Sequence, residues 1–551
     1  MKVLIIGGVA GGASAAARLR RVTEEAEIIM FERGEHISFA NCGLPYYIGG
    51  TIKERENLLV QTVEGMEGRF GIDVRVKSEI TKIDRENKKV HVKNWGTNEQ
   101  YEESYDYLIL SPGAKPIKFP IPGIDSEHIF SLRSLEDTDN ITDFIETEKP
   151  KKAVVVGGGF IGLEMVENLI DRGLDTSLVE ALDQVMPPLD YEMAAIVQKH
   201  LKDKGAKLYL SDKAISFENQ KVTLDSKKEL DADLVILSIG VAPESDLAKE
   251  TGLGLGQRGT IKVNKYLQTS DPSIYAVGDV IEVEDLVNKA PTFIPLAGPA
   301  NRQGRIAANN VGGQREVYHG SQGTSIAKVF DYTVAATGNS EKVLKKLGIK
   351  YCTSYTNSAS HAGYFPGAIP MTVKTICDLK GKVLGAQIVG QKGVDKRIDV
   401  FATSIKAGMN VEDLEQLELA YAPPYSTAKD PVNVAGFVAN NTLKGDMDII
   451  HWHEIDSILG SERYLIVDVR TKEEFDNGHI ENSVHIPIDE FRDNWQQIPK
   501  DKEIILICQT GLRSYLAGRL LAQKGYSDVK NLSGGYYIYN MATTEKKELS
   551  S

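Results

Sequence analysis

The stretch Ala153-Val154-Val155-Val156-Gly157-Gly158-Gly159-Phe160-Ile161-Gly162 decides how this chain reads. A run of apolar, strand-forming residues enters a turn with glycines at the first, third and sixth places, Gly157, Gly159 and Gly162, and a helical pattern follows over 163–170. Such a turn brings backbone N–H groups at a helix N-terminus to a pyrophosphate, and an acid about 20 residues on accepts from a ribose hydroxyl. Glu180 ends the next strand at that distance. The same order stands at the start of the chain: a strand over 3–6, the turn Gly7-Gly8-Val9-Ala10-Gly11-Gly12, a helix over 13–21, and a strand over 28–31 ending at Glu32. Only the middle glycine differs, being Val9. Two such units imply two dinucleotides, a flavin that stays and a nicotinamide that exchanges. Glu180 is followed by Ala181-Leu182-Asp183-Gln184, with no arginine for a 2′-phosphate, so NADH is expected in preference to NADPH.

Beyond Glu32 lies Ser38-Phe39-Ala40-Asn41-Cys42-Gly43-Leu44-Pro45-Tyr46-Tyr47, with Cys42 ten residues past that acid. Ser38 and Asn41 are helix-capping types, and a thiol at a helix N-terminus is favoured as thiolate. Cys42 is thus a candidate redox thiol; a small buried hydrophobe is the other common use of a free cysteine. The 551 residues exceed what one core holds and imply three or four domains. A net charge of -13 argues against general nucleic-acid binding and against a polybasic membrane surface. Cys42, Cys352, Cys377 and Cys508 lack C-x-x-C or zinc-type spacing, so no metal site or disulfide scaffold is expected and a reducing cytoplasm fits. The apolar run 1–6 is too short for a signal peptide or membrane span.

With Leu108-Ile109-Leu110-Ser111-Pro112-Gly113-Ala114, Leu237-Ser238-Ile239-Gly240 and Ile274-Tyr275-Ala276-Val277-Gly278-Asp279, the two glycine turns make five motifs in order. Together they resemble the pyridine nucleotide-disulfide oxidoreductase superfamily. The resemblance implies an α/β fold of two Rossmann-like domains, for FAD (1–112 and 245–324) and NAD(P)H (113–244), followed by an α+β dimerisation domain (325–440) of antiparallel strands. It assigns FAD to Gly7, Gly8, Gly11, Gly12, Glu32, Arg33, Asn41, Ser111, Gly113, Gly278, Asp279, Pro295 and Ala297. It assigns the nicotinamide cofactor to Gly157, Gly159, Phe160, Ile161, Gly162, Glu164, Glu180 and Gly240. Dithiol members carry C-x-x-x-x-C, but here Tyr47 stands where the second cysteine would be. The segment around Cys42 therefore resembles the single-cysteine group of coenzyme A disulfide reductases, NADH oxidases and NADH peroxidases, which work as homodimers.

Within that group, Ser14, Arg18, Arg21, Ser38 and Asn41 match positions that contact coenzyme A, and Arg18 and Arg21 share a helix face that is otherwise a solvated basic surface. Tyr421-Ala422-Pro423-Pro424-Tyr425-Ser426-Thr427-Ala428-Lys429-Asp430 resembles the segment that reaches the partner's cysteine, with Tyr425 and Tyr364 as catalytic candidates and Lys429 for a phosphate. Asn301 departs from the histidine expected there. Cys352 and Cys377 are expected to pack as inert residues.

After a linker at 441–452, residues 453–551 resemble the α/β rhodanese fold, on Leu465-Ile466-Val467-Asp468-Val469-Arg470 and on Ile504-Ile505-Leu506-Ile507-Cys508-Gln509-Thr510-Gly511-Leu512-Arg513-Ser514. A strand delivers Cys508 to a loop suited to a thiolate or persulfide, and the short spacing to Arg513 argues for sulfur over phosphate. The reading is NADH-driven reduction of CoA disulfide, CoA persulfide or polysulfide at Cys42, with Cys508 transferring sulfane sulfur. The alternatives are an NADH oxidase or peroxidase cycling Cys42 as sulfenic acid, and a redox-sensing interaction protein.

Overall fold

Lys2–Ile6 is the centre of a parallel sheet ordered Ile274–Ala276, Tyr107–Leu110, Lys2–Ile6, Glu27–Phe31, Asp73–Arg75. Val3, Leu4 and Ile5 are fully buried, as expected of a strand covered on both faces. The chain then turns at Gly7, with φ +94°, where a Cβ would lie 2.1 Å from the Ser111 carbonyl oxygen; at Gly12 a Cβ would lie 1.8 Å from Gly7 O. No other residue fits. Lys152–Val156 repeats the device between Asp175–Val179 and Leu234–Leu237. Gly157 has φ +109° with a virtual Cβ 2.3 Å from Ser238 O, and that of Gly162 is 1.9 Å from Gly157 O. Helix Ala10–Val22 packs on Ala297–Val311, closely enough that a Cβ on Gly304 would lie 2.2 Å from Gly11 O.

This computed structural model describes residues 1–550, divided into two compact units. The sheet centred on Lys2–Ile6 and the strands Asp175–Val179, Lys152–Val156, Leu234–Leu237 and Ile129–Ser131 of the other glycine-turn sheet belong to the unit of Met1–Ala181 and Asp212–Gly323. Leu182–Ser211, expected with the nucleotide domain 113–244, instead packs with the residues from Thr324 onward. The reason is helix Tyr191–Asp203, which lies against strand Val383–Gly390.

The second unit holds an antiparallel sheet ordered Ser325–Val329, Tyr332–Gly338, Val383–Gly390, Pro370–Cys377, Cys352–Ala359. It also holds a parallel sheet ordered Asp448–Ile450, Val529–Leu532, Glu503–Ile507, Tyr464–Asp468, Val484–His485. The stretch 441–452 is no plain linker. Helix Pro431–Leu443 runs into it, and Asp448–Ile450 pairs at the edge of the C-terminal sheet. Among the described residues no helix is long and apolar enough to cross a membrane.

Between these sheets Lys374 is fully buried. Its Nζ lies 2.9 Å from Asp190 and 2.5 Å from Glu192, and it also bonds Glu341. Glu192 takes the hydroxyl of Tyr355, which stands directly opposite Lys374, at 2.8 Å, and Trp452 Nε1 at 3.4 Å. The lysine thus ties the segment from Leu182, the antiparallel sheet and the start of the C-terminal module. Burial raises the Glu341 carboxyl, but the Lys374 charge and hydrogen bond outweigh it and hold it down at about 2. Removing one partner of a buried ion cluster costs about 3–5 kcal/mol, so Lys374→Met should lose that much in denaturant unfolding. Glu341 is depressed from an ordinary 4.5, so its contribution is complete above that pH. The gap between wild type and Lys374→Met should narrow as pH falls from 4.5 towards 2.

Candidate active sites

The two glycine turns are built alike down to their acids. Gly8 N donates to Glu32 Oε2 at 2.9 Å, and Gly158 N to Glu180 Oε2 at 2.6 Å. Glu32 also accepts from Gly34 N at 2.9 Å. Each carboxylate thus sits at the strand end beside the turn, where ribose hydroxyls would meet it. Asp279 follows the buried strand Ile274–Ala276, and burial, opposed by Arg133, pushes its carboxyl up to about 6. A carboxyl placed so, with no hydrogen bond of its own among the described residues, suits the hydroxyls of a ribitol chain. The residues therefore fit a flavin. Ser111 is fixed through its N–H to Ile6 O at 2.8 Å, Gly113 turns at φ +78°, and Pro295 leads into the helix that starts at Ala297. Gly278 N donates to Gln303 Oε1 at 2.8 Å; sequence reasoning missed Gln303, a buried glutamine on that helix. Arg33 does not point freely at a ligand, because Glu244 holds it at 2.5 and 3.0 Å and also takes Arg133.

Cys42 lies in a short 3₁₀ turn, Asn41–Gly43, ahead of the five-residue helix Leu44–Ile48. Neither Ser38 nor Asn41 caps it. Ser38 adopts a left-handed φ of +48° and gives its N–H to Gly8 O, whereas Asn41 Nδ2 reaches Arg133 O at 3.3 Å. The sulfur is exposed, yet the protein around it withdraws water and the Glu164 and Asp279 charges add to this, so the thiol is pushed up, contrary to the thiolate expectation. Burial and Glu167 lift Glu164 to about 7, against a hydrogen bond from Tyr46. Glu164 lies on helix Phe160–Asp171, which carries Ile161 and Gly162 in its first turn; its N-cap is Gly159. Ser238 Oγ bonds the carbonyls of Val156 and Gly157 at 3.0 Å each, and Gly240 turns with φ +109°.

The residues expected at coenzyme A are partly engaged within the protein. Ser14 Oγ donates to Asn301 Oδ1 at 2.5 Å, so the unexpected asparagine meets an expected contact. Arg18 Nε donates to Asn309 Oδ1 at 2.6 Å, and exposed Arg21 bonds only Ala17 O. In the second unit Lys429 is exposed, Tyr425 is 73% and Tyr364 75% exposed, and Tyr364 OH lies 2.8 Å from Tyr421 OH. Their loops are pinned by Arg397, another residue the sequence did not flag. It bonds Ser360 O and Ser426 Oγ at 3.0 Å and Asp430 at 3.1 Å, while Ala362 N donates to Ser426 O. The tyrosines are therefore exposed but their backbones are not loose.

Cys508 is buried at the end of strand Glu503–Ile507. Gly511 N donates to its Sγ at 3.0 Å and Ser514 Oγ to it at 3.3 Å. Asn531 orders this loop by donating to Gly511 O at 3.0 Å and meeting Ser514 Oγ at 2.7 Å. Arg513 lies within electrostatic reach of Cys508, and Glu474 holds its guanidinium by two bonds of 2.7 Å. That pairing, against the burial, keeps Glu474 down at about 2. Beneath the loop Asp468 and Arg470 form a buried pair at 2.8 Å, and Arg470 reaches Gln509 Oε1 at 3.3 Å. The arrangement stabilises a sulfur anion or persulfide by aimed donors.

The chain belongs to the pyridine nucleotide-disulphide oxidoreductase family, whose model matches residues 1–304, with its dimerisation domain matching 324–431. A rhodanese-like domain matches 451–542, so this is a mixed α/β oxidoreductase with a rhodanese-like module. Coenzyme A disulfide reductase of Staphylococcus haemolyticus is 38% identical over 442 residues, 80% of this chain and 99% of that protein. The reduced Bacillus anthracis CoADR-RHD structure is 55% identical with a TM-score of 0.97, over 99% of this chain and 98% of that one. The NAD-dependent persulfide reductase of A. fulgidus is 40% identical with a TM-score of 0.92, over 98% and 100%.

Glu164 raises the Cys42 thiol only while it is ionised, that is, above about pH 7. Glu164→Gln should move the midpoint of iodoacetamide alkylation of Cys42 to lower pH. Below pH 7 the two proteins should react alike.

Proposed function

We propose that this chain is an NADH-driven, flavin-dependent reductase of CoA disulfide and of CoA persulfide or polysulfide, acting as a homodimer, in which Cys42 carries the disulfide exchange and Cys508 transfers sulfane sulfur. The observation that carries this reading is the pairing, on one chain, of a solitary exposed Cys42, with Tyr47 in place of a second thiol, and a Cys508 held in a donor-lined pocket. The named relatives, a coenzyme A disulfide reductase and a persulfide reductase, support the same substrate class.

Cys42 as thiolate attacks one sulfur of CoA disulfide. A Cys42–CoA disulfide forms, the substrate S–S bond breaks, and one CoA thiolate leaves and takes up a proton. With CoA persulfide, attack at the CoA-bound sulfur expels hydrosulfide and leaves the same mixed disulfide. The chemistry that a flavin supplies when bound is two-electron transfer from a nicotinamide hydride to a disulfide. The turn N–H groups, Glu32 and Asp279 would hold that group, and the second turn with Glu180 would hold the nicotinamide. Glu164, near 7, holds or releases a proton beside the sulfur at working pH. The exposed Tyr364 and Tyr425 would face the pantetheine arm across the homodimer interface, with Ser14, Arg18, Arg21, Ser38, Asn41 and Lys429 towards the nucleotide.

At the second site Cys508 thiolate attacks a polysulfide, gains one sulfur as persulfide and leaves the donor one sulfur shorter. A CoA thiolate then takes that sulfur, regenerating Cys508 and giving CoA persulfide for Cys42. Tethering the two sites on one chain raises their mutual concentration to the order of millimolar.

Anaerobic NADH oxidation tests this. Cys42→Ser should abolish turnover with both CoA disulfide and CoA persulfide, while Cys508→Ser should spare CoA disulfide and impair only turnover that starts from polysulfide and CoA. Consumption of oxygen or peroxide by a wild type that ignores both CoA species would overturn it in favour of a sulfenate cycle. NADH should exceed NADPH in kcat/KM by at least about tenfold, the ratio for a single unfavourable contact of about 1.4 kcal/mol.

A further inference from the structure

Cys352 and Cys377 lie far apart in the sequence, but the sheet sets them face to face. Cys352 opens strand Cys352–Ala359 at the sheet edge, and its directly opposed residue on the neighbouring antiparallel strand is Cys377, the last of Pro370–Cys377. Opposed residues of antiparallel strands have Cα atoms about 4.5–5.5 Å apart, within the range of about 4.4–6.8 Å that a disulfide spans. Both are free thiols, Cys352 half-buried and Cys377 buried.

We propose that Cys352 and Cys377 are a modification site, a dithiol that low-molecular-weight disulfides or polysulfides convert to a cross-strand disulfide. This is separate from the reading of Cys42 and Cys508, since neither residue takes part. The roles divide by exposure. Cys352 is the more reachable sulfur, and its neighbour Cys377 lowers it, whereas Cys377 is shielded and pushed up by its neighbour and by burial. Cys352 thiolate attacks one sulfur of R–S–S–R, the Cys352–S–R bond forms and the R–S–S–R bond breaks, releasing one thiolate that takes up a proton. Cys377 then gives its proton to solvent and attacks the Cys352 sulfur, expelling the second R-thiolate. Two cysteine thiols are oxidised and one disulfide is reduced to two thiols. With polysulfide the leaving groups are hydrosulfide and a shorter polysulfide.

The bond would close the hairpin that carries the exposed Tyr364 and Phe365, and that contains Tyr355 and Lys374 of the buried ion cluster. Cys352–Ala359 is the edge strand of its sheet and is strand-paired on one side, by Pro370–Cys377, so the cross-link acts at the sheet's edge. The surroundings' sulfur state is thereby written into the stiffness of the segment bearing Tyr364.

The test incubates the flavin-loaded protein without NADH, separately with oxidised CoA and with inorganic polysulfide, quenches in acid, and maps peptides without reduction. A cross-linked Cys352–Cys377 peptide lighter by two hydrogens, removed by dithiothreitol and absent from Cys352→Ser, is the expected result; formation with one probe alone names the oxidant. Amide exchange over 352–377 should slow several-fold in the oxidised wild type. In Cys377→Ser a persistent mixed disulfide at Cys352 should replace the cross-link, with no slowing. Recovery of both cysteines as thiols, or of a stable mixed disulfide on Cys352 beside a free Cys377 in the wild type, would overturn the proposal.

Discussion

Two carbonyl oxygens, Ser111 O and Ser238 O, stand where a side chain would otherwise be, and the nucleotide-facing half of this protein depends on the strand ends that pass them. At Gly7 and Gly157 the chain leaves its strand within contact of the neighbouring strand's carbonyl and turns back to start a helix against its own glycine oxygen. Any Cβ at these points would push the helix off the sheet. The helix N-terminus would then lose its aim at a phosphate, and Glu32 and Glu180 would lose the Gly8 and Gly158 N–H groups they now accept from. Val9 is tolerated because the corresponding Gly159 has open space around it, so the middle glycine serves ligand approach and not packing.

The second unit depends on charge placed out of water. Lys374 with Asp190, Glu192 and Glu341, and Arg397 with Asp430 and Ser426, are buried ionic clusters that hold elements from distant parts of the chain. Such clusters are weak as net stabilisers but strict about geometry, because a displaced partner leaves a naked charge. One orients the sheet bearing Cys352 and Cys377 and reaches Trp452. The other fixes the loops of Tyr364 and Tyr425 while leaving both rings in solvent. The three carboxylates could themselves gather a cation, and the ammonium of Lys374 is the one they gather.

The two sulfur sites are tuned in opposite senses. Around Cys42 the protein withholds water and places carboxyls near the thiol, one of them near 7, and both push the thiol up. Around Cys508 it supplies donors in advance: Gly511 N, the Ser514 hydroxyl and an Arg513 braced by Glu474.

Features that depend on local spacing were legible in the sequence: the glycine turns, Glu32 and Glu180 at the strand ends, the solitary Cys42, and the Cys508 loop with Arg513. Strand and helix geometry fixes those distances within one supersecondary unit, so residue numbers alone locate them. What the tertiary structure decided depends on partners from far along the chain. Arg33 and Arg18 read as ligand contacts but are engaged by Glu244 and Asn309, and Ser38 and Asn41 read as caps but serve other bonds. Lys374, Arg397 and Gln303 look like surface residues in any local pattern, and strand register alone turns two scattered cysteines into a facing pair. Burial and register are sums over the whole chain, and no local window contains them.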